Sequence, residues 1–67
     1  MKADKLKNLK RGEFFTRKPI ECPKESQVFT RQEYDRSDKR YFCERFSDAG
    51  NGIMLKGETI VYVGFTF

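Results

Sequence analysis

The segment from Tyr34 to Tyr41 holds the residues whose types and spacing come nearest to a chemical function. The cations between its two tyrosines are Arg36, Lys39 and Arg40. Rings that stack on bases, beside cations that hold phosphates, are typical of single-strand nucleic-acid binders on β surfaces. Asp35 and Asp38 interleave with these cations and would repel a phosphate backbone. A solvated hairpin tip with cross-strand ion pairs therefore explains the same residues.

Catalysis has no candidate residue in this chain. Histidine is absent, which removes the commonest general base and excludes Ser-His and Cys-His dyads. Asp35 and Asp38 flank a tight turn, where aspartate is favoured because it hydrogen-bonds the backbone. The glycines near Asn51 are not followed by the lysine and helix of a phosphate loop. We predict no catalytic residue, no cofactor and no enzymatic activity.

The two cysteines, Cys22 and Cys43, do not form a recognisable metal site. A structural zinc ion needs four ligands, and no histidine is present to complete the set. The N-terminus has no apolar stretch of the secretory type, so a reducing compartment is expected. We predict two reduced thiols, with a pair that oxidises in vitro as the alternative.

The positive charge is concentrated at the start of the chain. The net charge is +4 and the sequence pI about 9.3, yet residues 12–67 carry equal numbers of cations and anions. A basic binding face requires clustering on the folded surface, so the average charge is weak support for nucleic acid. The candidate nucleic-acid contacts are Lys5, Lys7, Lys10, Arg11, Arg31, Arg36, Arg40 and Arg45.

The elements that position these residues begin with a hairpin within residues 27–48. A turn centred on Ser37-Asp38 opposes Asp35 with Arg40 and Tyr34 with Tyr41. The same register pairs Glu33 with Phe42, Gln32 with Cys43, Arg31 with Glu44, and Phe29 with Phe46. Charged and aromatic cross-strand pairs contribute roughly 0.2–1 kcal/mol each, so several together favour this register.

The two faces of this hairpin predict which side chains are buried. The charges on one side indicate that the inward residues are Val28, Tyr34, Tyr41 and Cys43. Phe29 and Phe46 are then exposed, or a bulge near Arg45 turns Phe46 inward. Exposed rings are candidates for contact with a protein partner. The rings chosen on this ground are Phe29, Phe42 and Tyr62.

Four further segments complete the predicted fold. Residues 59–67 alternate with a period of two, placing Val61 and Val63 on the side of a core. Other strands are predicted over residues 13–20, which end near Pro19, and over residues 53–56. Turns are expected around Gly50-Asn51-Gly52 and at residues 57–58. Five short, evenly spaced strands predict an all-β fold, namely a small SH3-like or OB-like barrel.

The first eleven residues are predicted to be a basic leader attached to one domain over residues 12–67. Asp4 is an N-cap residue and Gly12 a stop for one or two helical turns between them. Leu6 and Leu9 would share a face and cap an open end of the barrel. A disordered arm that orders on a partner is the alternative interpretation.

The whole chain has the size and composition of a single small soluble domain. It has 67 residues, of which 36% are charged. No apolar run approaches the roughly 18–20 residues that span a bilayer, so no membrane association is expected. With no secretory signal, the predicted location is the cytoplasm.

Several short strings of this sequence resemble a set of small uncharacterised bacterial proteins carried on phages and other mobile elements. The strings cover residues 9–15, 33–37, 41–43, 55–57, 61–63 and 65–67. The resemblance implies a small bacterial cytoplasmic protein and brings no activity with it.

The sequence as a whole favours a non-catalytic protein-interaction or accessory module, acting as a monomer or weak homodimer. Exposed rings or an unpaired strand edge would contact the protein partner. The alternative function is nucleic-acid binding by the leader together with the hairpin arginines.

Overall fold

The protein, described as a computed structural model over residues 1–48 and 50–65, is built from six β-strands. In chain order they are β1 (Lys2–Lys5), β2 (Phe14–Thr16), β3 (Val28–Asp35), β4 (Arg40–Arg45), β5 (Gly52–Leu55) and β6 (Ile60–Val63). Two 3₁₀ turns, Leu6–Asn8 and Glu25–Gln27, complete the regular structure of these residues, which include no α-helix. The prediction of an all-β fold is confirmed.

The six strands form one antiparallel sheet with the order β1-β6-β2-β3-β4-β5. Strands β1 and β5 are its two edges, and the described residues form no hydrogen-bonded pair between them. The sheet is therefore open, and the closure expected of a five-stranded barrel is not found. The predicted count missed β1, because its residues Lys2–Lys5 lack the β-branched and aromatic residues typical of strands.

The first part of the leader belongs to the sheet, and its helical structure is limited to one 3₁₀ turn. Its residues Lys2–Lys5 pair with β6, and the chain then makes the 3₁₀ turn Leu6–Asn8. Asp4 lies within β1, where its Oδ1 accepts hydrogen bonds from the Lys5 backbone at 2.8 Å and the Asn8 side chain at 2.9 Å. These bonds hold the pKa of Asp4 below its usual range, with the Asn8 bond as the largest cause. The prediction of Asp4 as an N-cap was wrong, because Asp4 pairs with Val61 in the sheet, and the one helical turn that forms is the 3₁₀ turn Leu6–Asn8.

The β3–β4 hairpin keeps the predicted register only near its turn. Asp35 pairs with Arg40 and Tyr34 with Tyr41, as predicted. A β-bulge between Arg31 and Tyr34 then shifts the register by one residue. The observed pairs beyond it are Arg31 with Cys43, Thr30 with Glu44, and Phe29 with Arg45. The predicted pairs of Gln32 with Cys43, Arg31 with Glu44, and Phe29 with Phe46 are wrong, because the bulge lies on β3 and not near Arg45.

The shift decides which side chains share the core face, called here the inner face. Phe29 is only 5% exposed and stacks on Phe15 with ring centroids 5.7 Å apart, so its predicted exposure is wrong. Tyr34, predicted inward, is 45% exposed. Val28 and Cys43 are buried as predicted, although Val28 lies on the opposite, outer face, paired with the buried Thr16.

The core lies between the inner face and the 3₁₀ turn that follows β1. Its buried members are Leu6, Leu9, Phe15, Phe29, Cys43 and Val61, with Tyr41, Ile53, Leu55 and Val63 packed against them. The two leucines of the leader therefore cover the inner face, where burying each stabilises the fold by roughly 1.5–3 kcal/mol. The inward prediction for Val61 and Val63 is confirmed, whereas Thr66 and Phe67 lie outside the described residues.

Two connections join distant parts of the sheet. Residues 56–59 form a tight turn in which the Thr59 N–H donates to the Lys56 carbonyl, so β5 at one edge leads directly into β6 near the other. The Leu6 and Lys7 N–H groups donate to Thr59 and Gly57 of this segment. At the other side, β2 and β6 share one residue pair, Thr16 with Tyr62.

Candidate functional site

The outer edge of β5 is one candidate site, because backbone groups are open there. The Arg45 N–H donates to the Asn51 carbonyl at 2.9 Å, which marks that pair as hydrogen-bonded. Hydrogen-bonded and non-hydrogen-bonded pairs alternate in an antiparallel ladder, so Ile53 and Leu55 bond to β4. The N–H and C=O groups of Gly52 and Met54 therefore point away from β4, toward an edge that no described strand covers.

The two edges of the sheet differ in charge. Strand β5 has the sequence Gly-Ile-Met-Leu with no ionisable side chain, whereas β1 includes Lys2, Asp4 and Lys5. Charged side chains on an edge strand protect it from pairing with another chain. By this criterion β1 is protected and β5 is not.

An outer-face groove lies beside β5 and carries more negative than positive charge. Its lining residues are Arg11, Gln32, Glu33, Tyr34, Asp35, Phe42, Glu44 and Met54. The Arg11 guanidinium pairs with Glu33, with its Nη2 3.1 Å from Oε1, which neutralises that carboxylate. Asp35 and Glu44 remain as negative charges beside an apolar floor of Phe42 and Met54.

Phe42 closes the space above Gly52 on this outer face. A Cβ atom placed on Gly52 would lie 2.8 Å from Cζ of the Phe42 ring. The ring thus covers the strand position that has no side chain, in the manner of an aromatic residue that supports a glycine in a sheet. As a candidate protein contact, Phe42 is half-buried and lines the groove beside the edge.

The other two predicted protein contacts are placed less favourably. Phe29 is a core residue and leaves almost no surface for a partner. Tyr62 is half-buried on β6, on the far side of the sheet from β5. The large exposed apolar side chains are instead Met1, Phe14, Tyr34, Phe46 and Ile60. Phe14 and Phe46 contact each other edge to face at 5.6 Å, a pairing across β2 and the end of β4 that the sequence did not indicate.

Four of the eight predicted nucleic-acid contacts are paired with carboxylates. Lys5 and Lys7 both contact Glu58, with Nζ–O distances of 3.0 and 2.7 Å. Their hydrogen bonds, that of Lys7 first, hold the pKa of Glu58 below its usual range. Arg11 pairs with Glu33, and Arg40 lies 3.9 Å from Asp38. These cations are therefore partly neutralised.

The remaining four predicted contacts do not gather on one face. Lys10 and Arg36 are exposed and form no ion pair with a described carboxylate. Arg31 lies over the Tyr41 ring with its Cζ 4.4 Å from the centroid, and its buried Nε has no hydrogen-bond partner among the described atoms. Arg45 lies over Phe29 at 5.0 Å.

Arg45 has two basic neighbours that sequence reasoning missed. Arg17 and Lys18 line a groove together with Arg45, because β2 ends at Thr16 and the following loop turns toward the end of β4. The predicted strand over residues 13–20 concealed this turn. The adjacent Arg17-Lys18-Pro19 was the available signal, since proline ends a strand and two cations before it mark an exposed loop.

The two cysteines lie in different environments. Both are free thiols, with Cys22 exposed and Cys43 fully buried. The described residues include no group of three histidine, cysteine, aspartate or glutamate side chains suited to a metal ion. Within the same residues, no helix is long and apolar enough to cross a membrane.

Among the described residues, the open β5 edge offers backbone groups without a strand partner, and the groove at Arg45 offers cations without a carboxylate partner. Comparison with known proteins found no matching family model, no matching curated protein and no matching solved structure.

Proposed function

We propose that the protein is a non-catalytic protein-interaction module that binds an extended segment of a partner along β5. The observation that supports this is the uncharged edge, where the backbone groups of Gly52 and Met54 face outward without a described partner. A peptide that adds a strand gains its affinity from main-chain hydrogen bonds of this kind.

The surroundings of β5 define the chemistry of the segment that fits. On the outer face a partner side chain meets the groove that contains Asp35 and Glu44, so lysine or arginine is complementary there. On the inner face it meets Ile53 and Leu55, which are half-buried and apolar. The preferred segment therefore alternates basic and apolar residues.

A second copy of this chain fits the edge less well. Antiparallel pairing of β5 with itself would continue the same face across both molecules. Each acidic groove would then lie beside its own copy, and like charges brought together are unfavourable. A different protein is for this reason the proposed partner.

The test uses a fluorescent peptide of alternating lysine and valine, with an alternating glutamate and valine peptide for comparison. We expect the lysine peptide to bind and to shift the backbone amide resonances of β5. Met54→Pro removes the outward N–H without touching the bonds to β4, so binding should fall at least about tenfold, as expected for an extended strand that loses an anchoring bond. Met54→Leu keeps the N–H and serves as the matched control.

Three results would contradict the proposal. One is equal binding of both peptides, and another is equal affinity for Met54→Pro and Met54→Leu. The third concerns the mass measured by sedimentation equilibrium. If the wild type has twice the monomer mass at high protein concentration and Met54→Pro stays at 8.0 kDa, the occupant of the edge is a second copy of this chain. The circular dichroism spectrum of each variant checks that the sheet is retained.

A further inference from the structure

A basic groove lies between the loop that follows β2 and the end of β4, away from the groove beside β5. Its lining residues are Arg17, Lys18, Ile20, Gln27, Phe29 and Arg45. The groove encloses about 430 Å³, which lies within the range of small-ligand sites. Among the described residues, no carboxylate lines this groove.

Hydrogen bonds hold the chain at Lys18 on one side of the groove and the Arg45 side chain on the other. The Lys18 carbonyl accepts a hydrogen bond from the buried Thr16 hydroxyl at 2.7 Å and another from the Ile20 N–H at 2.9 Å. Across the groove, Arg45 Nη1 donates to the Ser26 carbonyl at 2.9 Å. Because the Arg45 side chain and the Lys18 backbone are already held, a ligand would have to order only the exposed side chains of Arg17 and Lys18.

The charge of this groove is not compensated within the described part of the chain. Arg17, Lys18 and Arg45 form no ion pair there, whereas Lys5, Lys7, Arg11 and Arg40 each have a carboxylate within 4.0 Å. An anion can therefore reach the cations of the groove without displacing a carboxylate, unlike at Lys5, Lys7, Arg11 and Arg40.

We propose that this groove, called here the Arg45 groove, binds the phosphate group of a phosphorylated ligand. Guanidinium groups hold phosphate oxygens through paired N–H donors, and lysine adds a mobile point charge. The Phe29 ring is 5% exposed and lies beneath the Arg45 guanidinium, so it offers no free face on which a base could stack. Recognition thus rests on the phosphate, which a small metabolite or a nucleic-acid backbone can supply equally.

The experiment titrates pyrophosphate into ¹⁵N-labelled protein at low salt and follows the backbone amides. We expect shifts confined to residues 16–20 and to Arg45 and its neighbours. In Arg17→Gln/Lys18→Gln, affinity should fall at least about tenfold, because hydrogen bonds to charged groups are among the strongest in proteins. The control Arg36→Gln/Lys56→Gln removes the same net charge from exposed positions outside this groove and should retain most of the affinity.

Two further measurements make the result specific. Arg45→Lys keeps the charge but loses the paired donors, so pyrophosphate should bind it more weakly. A thymidine oligonucleotide that binds more tightly than pyrophosphate, and loses binding in Arg17→Gln/Lys18→Gln, would identify a nucleic-acid backbone as the source of the phosphate. Binding of pyrophosphate alone would identify a free phosphorylated molecule.

The proposal is wrong if neither probe shifts the groove amides. It is equally wrong if both double variants weaken binding to the same extent, since diffuse attraction to a basic protein would then explain the result. Urea unfolding of each variant verifies that the fold is intact, and Arg17 and Lys18 are exposed enough that their replacement should not disturb it.

Discussion

At the scale of single residues, burial determines the chemistry of Cys43. Its side chain has no exposed surface, and burial raises the pKa of its thiol to about 11, against the opposing positive charges of Arg31 and Arg17. The thiol is therefore protonated and unreactive at neutral pH. Cys22 is exposed, so the two cysteines differ in accessibility although the sequence presents them alike.

The raised pKa of Cys43 predicts a loss of stability in alkali. Below pH about 9, the thiol is protonated in both the folded and the unfolded chain and adds no pH dependence. Between pH about 9 and 11 it ionises only when unfolded, so the unfolded chain binds fewer protons and the free energy of unfolding decreases as pH rises. Urea unfolding at a series of pH values measures this decrease.

The comparison of two alanine variants isolates the contribution of Cys43. Cys43→Ala removes the buried thiol, so its free energy of unfolding should decrease less steeply across that pH interval than that of the wild type. Cys22→Ala removes the exposed thiol and should retain the wild-type slope. Identical slopes for all three proteins would show that Cys43 ionises equally easily in the folded chain.

Pairings between residues close in sequence were predictable, and distant ones were not. Asp35 and Tyr34 find their predicted partners because the turn at residues 36–39 fixes the first pairs of the hairpin. Glu58 receives Lys5 and Lys7 from the other end of the chain, which only the finished sheet brings together. The same reason hid the Arg45 groove, since its cations come from the loop after β2 and from the end of β4.

At the scale of elements, the bulge in β3 shows how tertiary packing overrides a locally favourable register. The predicted register exposed Phe29, whereas the observed one places its ring on Phe15 within the core. Burying a large aromatic side chain is worth roughly 1.5–3 kcal/mol, which exceeds the gain from any single cross-strand pair. No local feature of residues 28–35 indicates where Phe15 will lie, so the bulge position was beyond sequence reasoning.

The 3₁₀ turn after β1 contains a residue whose substitution should strongly reduce the stability of the fold. Leu6 has no exposed surface and belongs to the core cluster. Leu6→Ala should destabilise the fold by about 2–5 kcal/mol, through lost burial and the cavity that remains. A core this small rarely supplies more than about 3–5 kcal/mol of net stability, so the variant should keep at most about 3 kcal/mol and unfold at a clearly lower temperature. Thermal unfolding followed by circular dichroism measures the effect.

Ile60→Ala is the matched control for this loss. Ile60 is 49% exposed on β6, and its replacement removes the same class of side chain from a surface position. We expect a cost of at most about 1 kcal/mol, from reduced strand propensity. Equal destabilisation by the two substitutions would mean that the leader does not contribute to the core.

At the scale of the whole molecule, composition and alternation were enough to predict the class of fold and the sites of most strands. Composition and alternation could not predict the strand order. Strand β6 lies between β1 and β2, so the order brings together segments from both ends of the chain. The contrast between the edges also follows from that order. Strand β5 becomes an edge only because β6 pairs elsewhere, which is why the candidate interaction site could not be placed on it beforehand.

The single residue pair between Thr16 and Tyr62 has a consequence for motion. We expect this β2–β6 junction to be a seam that opens first, so that β1, β6 and the leader separate while β2 to β5 stay paired. Such partial opening should let the amides of β1 and β6 exchange with deuterium before those of β3 and β4. It should also admit an alkylating reagent to Cys43 in native solution, faster than global unfolding permits. Uniform exchange across all six strands would show that the seam opens only when the whole protein unfolds.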